Sequence, residues 1–268
     1  MEDLDRIPQA PRQSSPFWVF LCVVTGGYLA FILAMLIATA TYSSPSDLME
    51  ALKSRQIQHS IFLSLLTCSL TALLSLLIAV PAGYLLARAN FRFKALVESA
   101  LDIPIVLPPM VIGLCLLILF QTSFGGLVDS VIPFTYTVFG VVLAQLVIGA
   151  AFAIRTMRST FDQLSQRPED VAMTLGCSRG GAMWRVTLPA AAKGMVAALS
   201  VAWARSLGEF GPILVFAGAT RMRTEVLPTT VWLELSVGNL EAAVAVSMLM
   251  VVFAMFVLVA MRWAGERW

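Results

Sequence analysis

Charge is scarce in this sequence. Only 13% of its 268 residues are Asp, Glu, Lys or Arg, about half the share of a typical soluble domain. With 18 Lys+Arg against 16 Asp+Glu, the net charge of +2 is too small to be an electrostatic footprint for nucleic acid. Histidine is almost missing. His59 is the single one, has no companion ligands nearby, and reads as a surface residue rather than a metal ligand. The four cysteines (Cys22, Cys68, Cys115, Cys177) lack C-x-x-C spacing, so neither a zinc site nor a disulfide framework is expected. Nor is there a G-x-x-x-x-G-K-[ST] stretch to cradle ATP phosphates.

What fills the chain instead is apolar. Hydrophobic residues make up 59% and the mean hydropathy is +0.85. These values exclude an ordinary soluble enzyme and a disordered chain, and a lipid bilayer is the solvent that fits. Apolar stretches cover 17–39, 61–87, 103–120, 137–157, 190–218 and 240–261. About 20 helical residues cross a bilayer core of ~30 Å, so six crossings are expected. The first follows an acidic, proline-containing tail (Glu2, Asp3, Asp5, Pro8, Pro11, Pro16), unlike the basic start of a signal peptide, and reads as a retained helix. Lys and Arg concentrate on one face. The fourth loop alone holds Arg155, Arg158, Arg167, Arg179, Arg185 and Lys193, whereas the third holds none. By the positive-inside rule that face is cytoplasmic, and with six spans both termini share it. The expected fold is thus an all-α integral membrane domain over 17–263. A cytoplasmic tail (1–16), a short cytoplasmic end (264–268) and a prominent loop at 158–189 complete the reading.

Three places inside the spans stand out. Ser60, Ser64, Thr67, Thr71 and Ser75 share one helical face of the second span; they suit either a close helix–helix contact or a polar pathway lining. The third span opens with Pro104, Pro108 and Pro109. Three prolines so close cannot all sit in a regular helix, so the helix is expected to start near Pro108 or Pro109, as a candidate pathway wall. The fifth span carries Arg205, Gly208, Glu209, Gly211 and Pro212. Arg205 and Glu209 are spaced to pair, either as a gate or as a brace between helices.

The fourth loop is the most informative segment. Pro168, Glu169 and Asp170 suit a helix start, Gly176 a left-handed stop, and Ser178 the cap of a second short helix reaching about Val186, ended by Pro189. This helix–Gly–helix would present Val171, Leu175, Met183 and Trp184 as apolar knobs, for a partner's groove or for the lipid surface.

The same loop resembles the signature of binding-protein-dependent ABC transporter permeases: Glu-Ala-Ala, three residues, Gly, nine residues, Ile, one residue, Leu-Pro. Here Asp170-Val171-Ala172, Gly176, Val186, Leu188 and Pro189 meet every spacing. Asp replaces Glu, with Glu169 one residue earlier to share the acidic role, and Val replaces Ala and Ile. Residues 104–113, 204–211, 224–228 and 238–243 are similar to molybdate and sulfate permeases. The resemblance implies that two permease copies form a pathway and that a pair of cytoplasmic ABC ATPases docks on the fourth loops. It further implies that an external binding protein delivers an oxyanion, molybdate or tungstate first and sulfate or another solute second. ATP would be bound by the partner, leaving this chain without cofactor or nucleic acid. An ATP-independent channel and a membrane enzyme are the remaining alternatives.

Overall fold

A computed structural model describes residues 15–42 and 45–266, whose regular structure is entirely helical, with no strand among them. Most of the tail expected at 1–16, and the last two residues, lie outside this range. The first helix, α1 (Ser15–Tyr42), is a unit of its own. It is apolar on all sides and long enough to cross a membrane.

The second unit begins at Pro45. Its elements are α2 (Pro45–Lys53), α3 (Arg55–Arg88), α4 (Lys94–Val106), α5 (Pro109–Gln121), α6 (Ser123–Val131) and α7 (Val138–Gln163). There follow α8 (Arg167–Thr174), α9 (Arg179–Ala182), a π-helical turn (Met183–Thr187), α10 (Leu188–Ala190), α11 (Ala192–Leu207), α12 (Gly211–Phe216), α13 (Leu227–Ser236) and α14 (Leu240–Glu266). Four helices are individually long and apolar enough to span, and up to six spans result if each bent pair counts as one.

The core joins α3, α7, α11 and α14 through small side chains, among them Ala72, Ala153, Ala198, Ala202 and Ala245. In a membrane, helices associate through close packing rather than hydrophobic expulsion, and small residues permit it. Gly83 shows how close: a Cβ there would lie 2.9 Å from the Arg158 backbone nitrogen.

Three expectations need correction. The residues ahead of Pro108 are helical rather than irregular, forming α4, which meets α5 at 111°. The break falls at Leu107 and Pro108, both extended (ψ 142 and 133). Pro109 opens α5 as expected, since proline tolerates the first helical turn; Pro104, however, lies inside α4. The fourth loop is shorter than 158–189, because α7 runs on to Gln163. Finally, Pro189 does not end the second short helix, which continues to Ala190 and bends by 73° into α11. The π turn accommodates it: the Leu188 N–H donates back to the Met183 carbonyl, a register that dispenses with the donor proline lacks. The fifth stretch, 190–218, is broken where Gly208, Gly211 and Pro212 are expected to weaken a helix: α11 ends at Leu207 and α12 starts at Gly211.

Candidate functional site

The fourth loop folds as two short helices around Gly176. Its φ of +92 is left-handed, and the Cys177 and Gly176 N–H groups donate to the Ala172 and Met173 carbonyls, both at 3.0 Å. These two bonds satisfy the helix end in the way a glycine stop does. Ser178 caps the next helix, its hydroxyl accepting from the Gly181 N–H at 3.2 Å.

Glu169 is the acid that the fold buries, whereas Asp170, the signature position, is exposed. The Tyr84 hydroxyl donates to Glu169 Oε1. The Thr187 hydroxyl donates to Oε2 at 3.0 Å, and Arg88 Nε stands 3.9 Å from the same oxygen. Arg88 also donates from Nη2 to the Leu164 carbonyl at 3.0 Å. A buried carboxylate is tolerated when it is paired and hydrogen-bonded, and here its donors come from α3 and from the π turn. The loop is therefore fastened to the last turn of α3. A cavity of about 490 Å³ lies beside this joint, lined by Tyr84, Arg88, Glu169, Asp170 and Arg179 among others.

The opposite face of the loop is bare. Val171 is 56% exposed, Leu175 81% and Trp184 72%, while Met183 is half-buried against the core. Three of the four expected knobs thus point outward. Ala172 and Leu188 are buried, Val186 is half-buried and Pro189 is exposed.

The pathway candidates fall into two groups. Arg205 and Glu209 pair at 2.7 Å, and the Arg205 guanidinium lies 4.9 Å from the Phe152 ring centre. Gly211 touches the start of α5: a Cβ there would approach the Met110 nitrogen to 3.0 Å. The Pro108–Pro109 elbow and the break in the fifth stretch are thereby brought together. Gly208 differs, since a Cβ there would meet nothing closer than 3.7 Å. The hydroxyl face of α3 is fully buried. Thr71 donates to Gln145 Oε1 at 3.2 Å, Ser64 accepts from the Leu227 N–H at 2.7 Å, and Ser75 lies against Gly149. It serves as a helix contact.

Sequence reasoning missed Gln145, the buried centre of that contact, which also donates to the Ser206 carbonyl at 3.1 Å. It missed Tyr84 and Arg88 as well, although their i,i+4 spacing at the end of an apolar run was a usable signal. At the other end of α3, Arg221 donates to Gln56 Oε1 and pairs with Glu234 at 3.0 Å, which accepts from Asn239 at 3.0 Å. Beside them Glu225 is fully buried, and neither carboxylate oxygen is hydrogen-bonded among the described residues. Burial pushes its carboxyl above the usual range, opposed by nearby Thr230 and Arg221.

A family model described as "Binding-protein-dependent transport system inner membrane component" matches residues 79–268. The probable molybdenum ABC transporter permease protein of Haloferax volcanii is 32% identical over 235 residues, 87% of this chain and 86% of the relative. The molybdate/tungstate transport system permease protein WtpB of Thermococcus kodakarensis is 33% identical over 257 residues, 94% of this chain and 97% of its own length. Among solved structures, a chain of a bacterial alginate ABC transporter matches with a TM-score of 0.74, 15% identity and 94% coverage of both chains. At that identity the likeness concerns the fold.

Proposed function

The chain belongs to the binding-protein-dependent transport system inner membrane components, and from that premise we propose that it is the permease subunit of an ATP-driven oxyanion importer, with molybdate or tungstate as cargo. The observation that carries the transport reading is the loop around Gly176. Its acid is locked inward and its Val171, Leu175 and Trp184 side chains are bare outward, the surface a cytoplasmic ATPase would grip. The names of the relatives support the cargo. In this reading the chain crosses the membrane six times with both termini cytoplasmic, the broken third and fifth stretches each counting once. Its domain is 17–263, between the two cytoplasmic ends. Two copies line the pathway, two ATPases dock on the α8 helices, and an external binding protein delivers the anion.

The coupling residues are Glu169, Asp170, Val171, Ala172, Leu175, Gly176, Val186, Leu188 and Pro189. The gate is built where Pro108 and Pro109 meet Gly211, with Arg205, Gly208 and Glu209 beside it. ATP, bound only by the partner, must favour one of the two alternating states for its binding to do work.

Purification of the tagged chain from native membranes in mild detergent tests the assembly. A Walker-motif ATPase in near-equal amount, with no second permease chain, is the expected result; a chain that comes alone in several detergents overturns it. Uptake of molybdate by the reconstituted complex, with sulfate as competitor, tests the cargo. Competition by equimolar sulfate would move the assignment to sulfate.

A further inference from the structure

The pair formed by Arg205 and Glu209 carries no net charge, yet it does not present itself evenly. The Arg205 side chain is 41% exposed and that of Glu209 only 2%. The acid is folded inward and the guanidinium outward, over Phe152. One helical turn further along α7, Arg155 is exposed and takes part in no ion pair among the described residues. Ser159 continues the same face one turn later, also exposed. Phe152, Arg155, Thr156, Ser159 and Gln163 line an open groove of about 410 Å³. Its edge is the seam between α7 and α11, held close where Gly194 abuts Thr160. A cation, an aromatic edge and a row of hydroxyls thus follow one another along α7, and the Arg205 guanidinium of α11 joins them over the Phe152 ring; α7 is otherwise apolar enough to span a membrane. Lipid tails do not solvate such a face, so it must meet water or a polar ligand.

We infer that this groove is an anion-binding subsite of the passage. Arg205 and Arg155 attract a small dianionic oxyanion by charge, and Ser159 and its neighbours donate hydrogen bonds to the oxygens. The inference rests on the importer reading and gives it a place in this chain. It also gives the Arg205–Glu209 pair a sign: buried Glu209 holds Arg205 in position while leaving its outer face cationic.

The test uses the full chain, assembled with its ATPase, in phosphatidylcholine vesicles. Ser159→Cys is introduced with the four native cysteines replaced, and its reaction with an anionic thiol reagent is compared with a cationic one of equal size. A local potential of a few kT predicts roughly a 10-fold preference for the anionic reagent, relative to a small free thiol. Tungstate should slow the reaction, and adding Arg155→Gln or Arg205→Gln should abolish the preference. No reaction at the introduced thiol, equal rates, or a preference that survives both arginine replacements overturns the subsite. So does protection that follows added phosphatidylglycerol and not tungstate, because the cations then hold a lipid headgroup. Molybdate uptake by the same complex separates the two claims. Uptake without charge preference sinks the subsite alone, and charge preference without oxyanion uptake sinks the cargo assignment.

Discussion

Glu169 and Glu225 are both buried, and they sit toward opposite ends of α3. Glu169 has collected two hydroxyl donors and an arginine ion pair from two segments. Glu225 has none among the described residues, and Arg221, a cation near it, is engaged by Glu234 and Gln56. The same side chain at similar burial is a rivet at one end and a liability at the other. What separates them is not depth but whether neighbouring segments deliver donors, and that is the condition that decides whether a buried charge stabilises.

The largest effect is expected at the riveted end. Glu169→Ala leaves a half-buried Arg88 beside unpaired hydroxyls, a loss on the order of 3 kcal/mol. The detergent-solubilised protein should melt lower and release its ATPase. Glu169→Gln, which keeps an acceptor, should recover part of the melting temperature. Equal melting of Glu169→Ala and the parent chain would dissolve the contrast.

A middling effect belongs to Gly176. Open space surrounds it, so Gly176→Val acts through the left-handed backbone alone, at about 1–2 kcal/mol. Thermal stability should fall modestly while ATPase association falls further, because α8 is re-aimed. Full association and transport would refute the assigned role of this turn.

The smallest effect, and the one with opposite sign, is expected at Glu225. Its folded carboxyl holds a proton more readily than the unfolded one. Stability therefore falls as pH rises above the ordinary carboxylate pKa of about 4.3. Glu225→Gln should raise the melting temperature at pH 8, leave it nearly unchanged at pH 4.5, and flatten the slope between them. A lowered melting temperature at pH 8 would mean that the ionised carboxylate has found a partner.

Much of this was legible in advance because membranes impose simple rules. Apolar length located the helices, and the hydroxyl spacing on α3 located its contact face. Gly176 and Ser178 announced their turn and cap by backbone chemistry alone. The breaks were less legible: Pro104 sits inside α4 while Pro108 ends the helix, and periodicity cannot rank prolines a few residues apart. Glu169 and Asp170 are adjacent acids at a helix start, and choosing the buried one required knowing that Tyr84 and Thr187 arrive on the same side. Glu225 was invisible as a buried charge, since nothing local marks a loop acid for burial.

The fastening of α8 to α3 also has a mechanical meaning. Tyr84 and Arg88 grip Glu169 at the last turn of a 34-residue helix, a rod about 51 Å long. On the other side Thr187 joins the same carboxylate to the piece that bends into α11. The joint has the geometry of a bell crank, with α3 and the piece leading into α11 as two arms meeting at one carboxylate. On a rod of that length each degree of tilt displaces the far tip by about 0.9 Å. If the proposed docking on α8 tilted this rod by a few degrees, its far end, where Gln56 meets Arg221, would move by several ångströms.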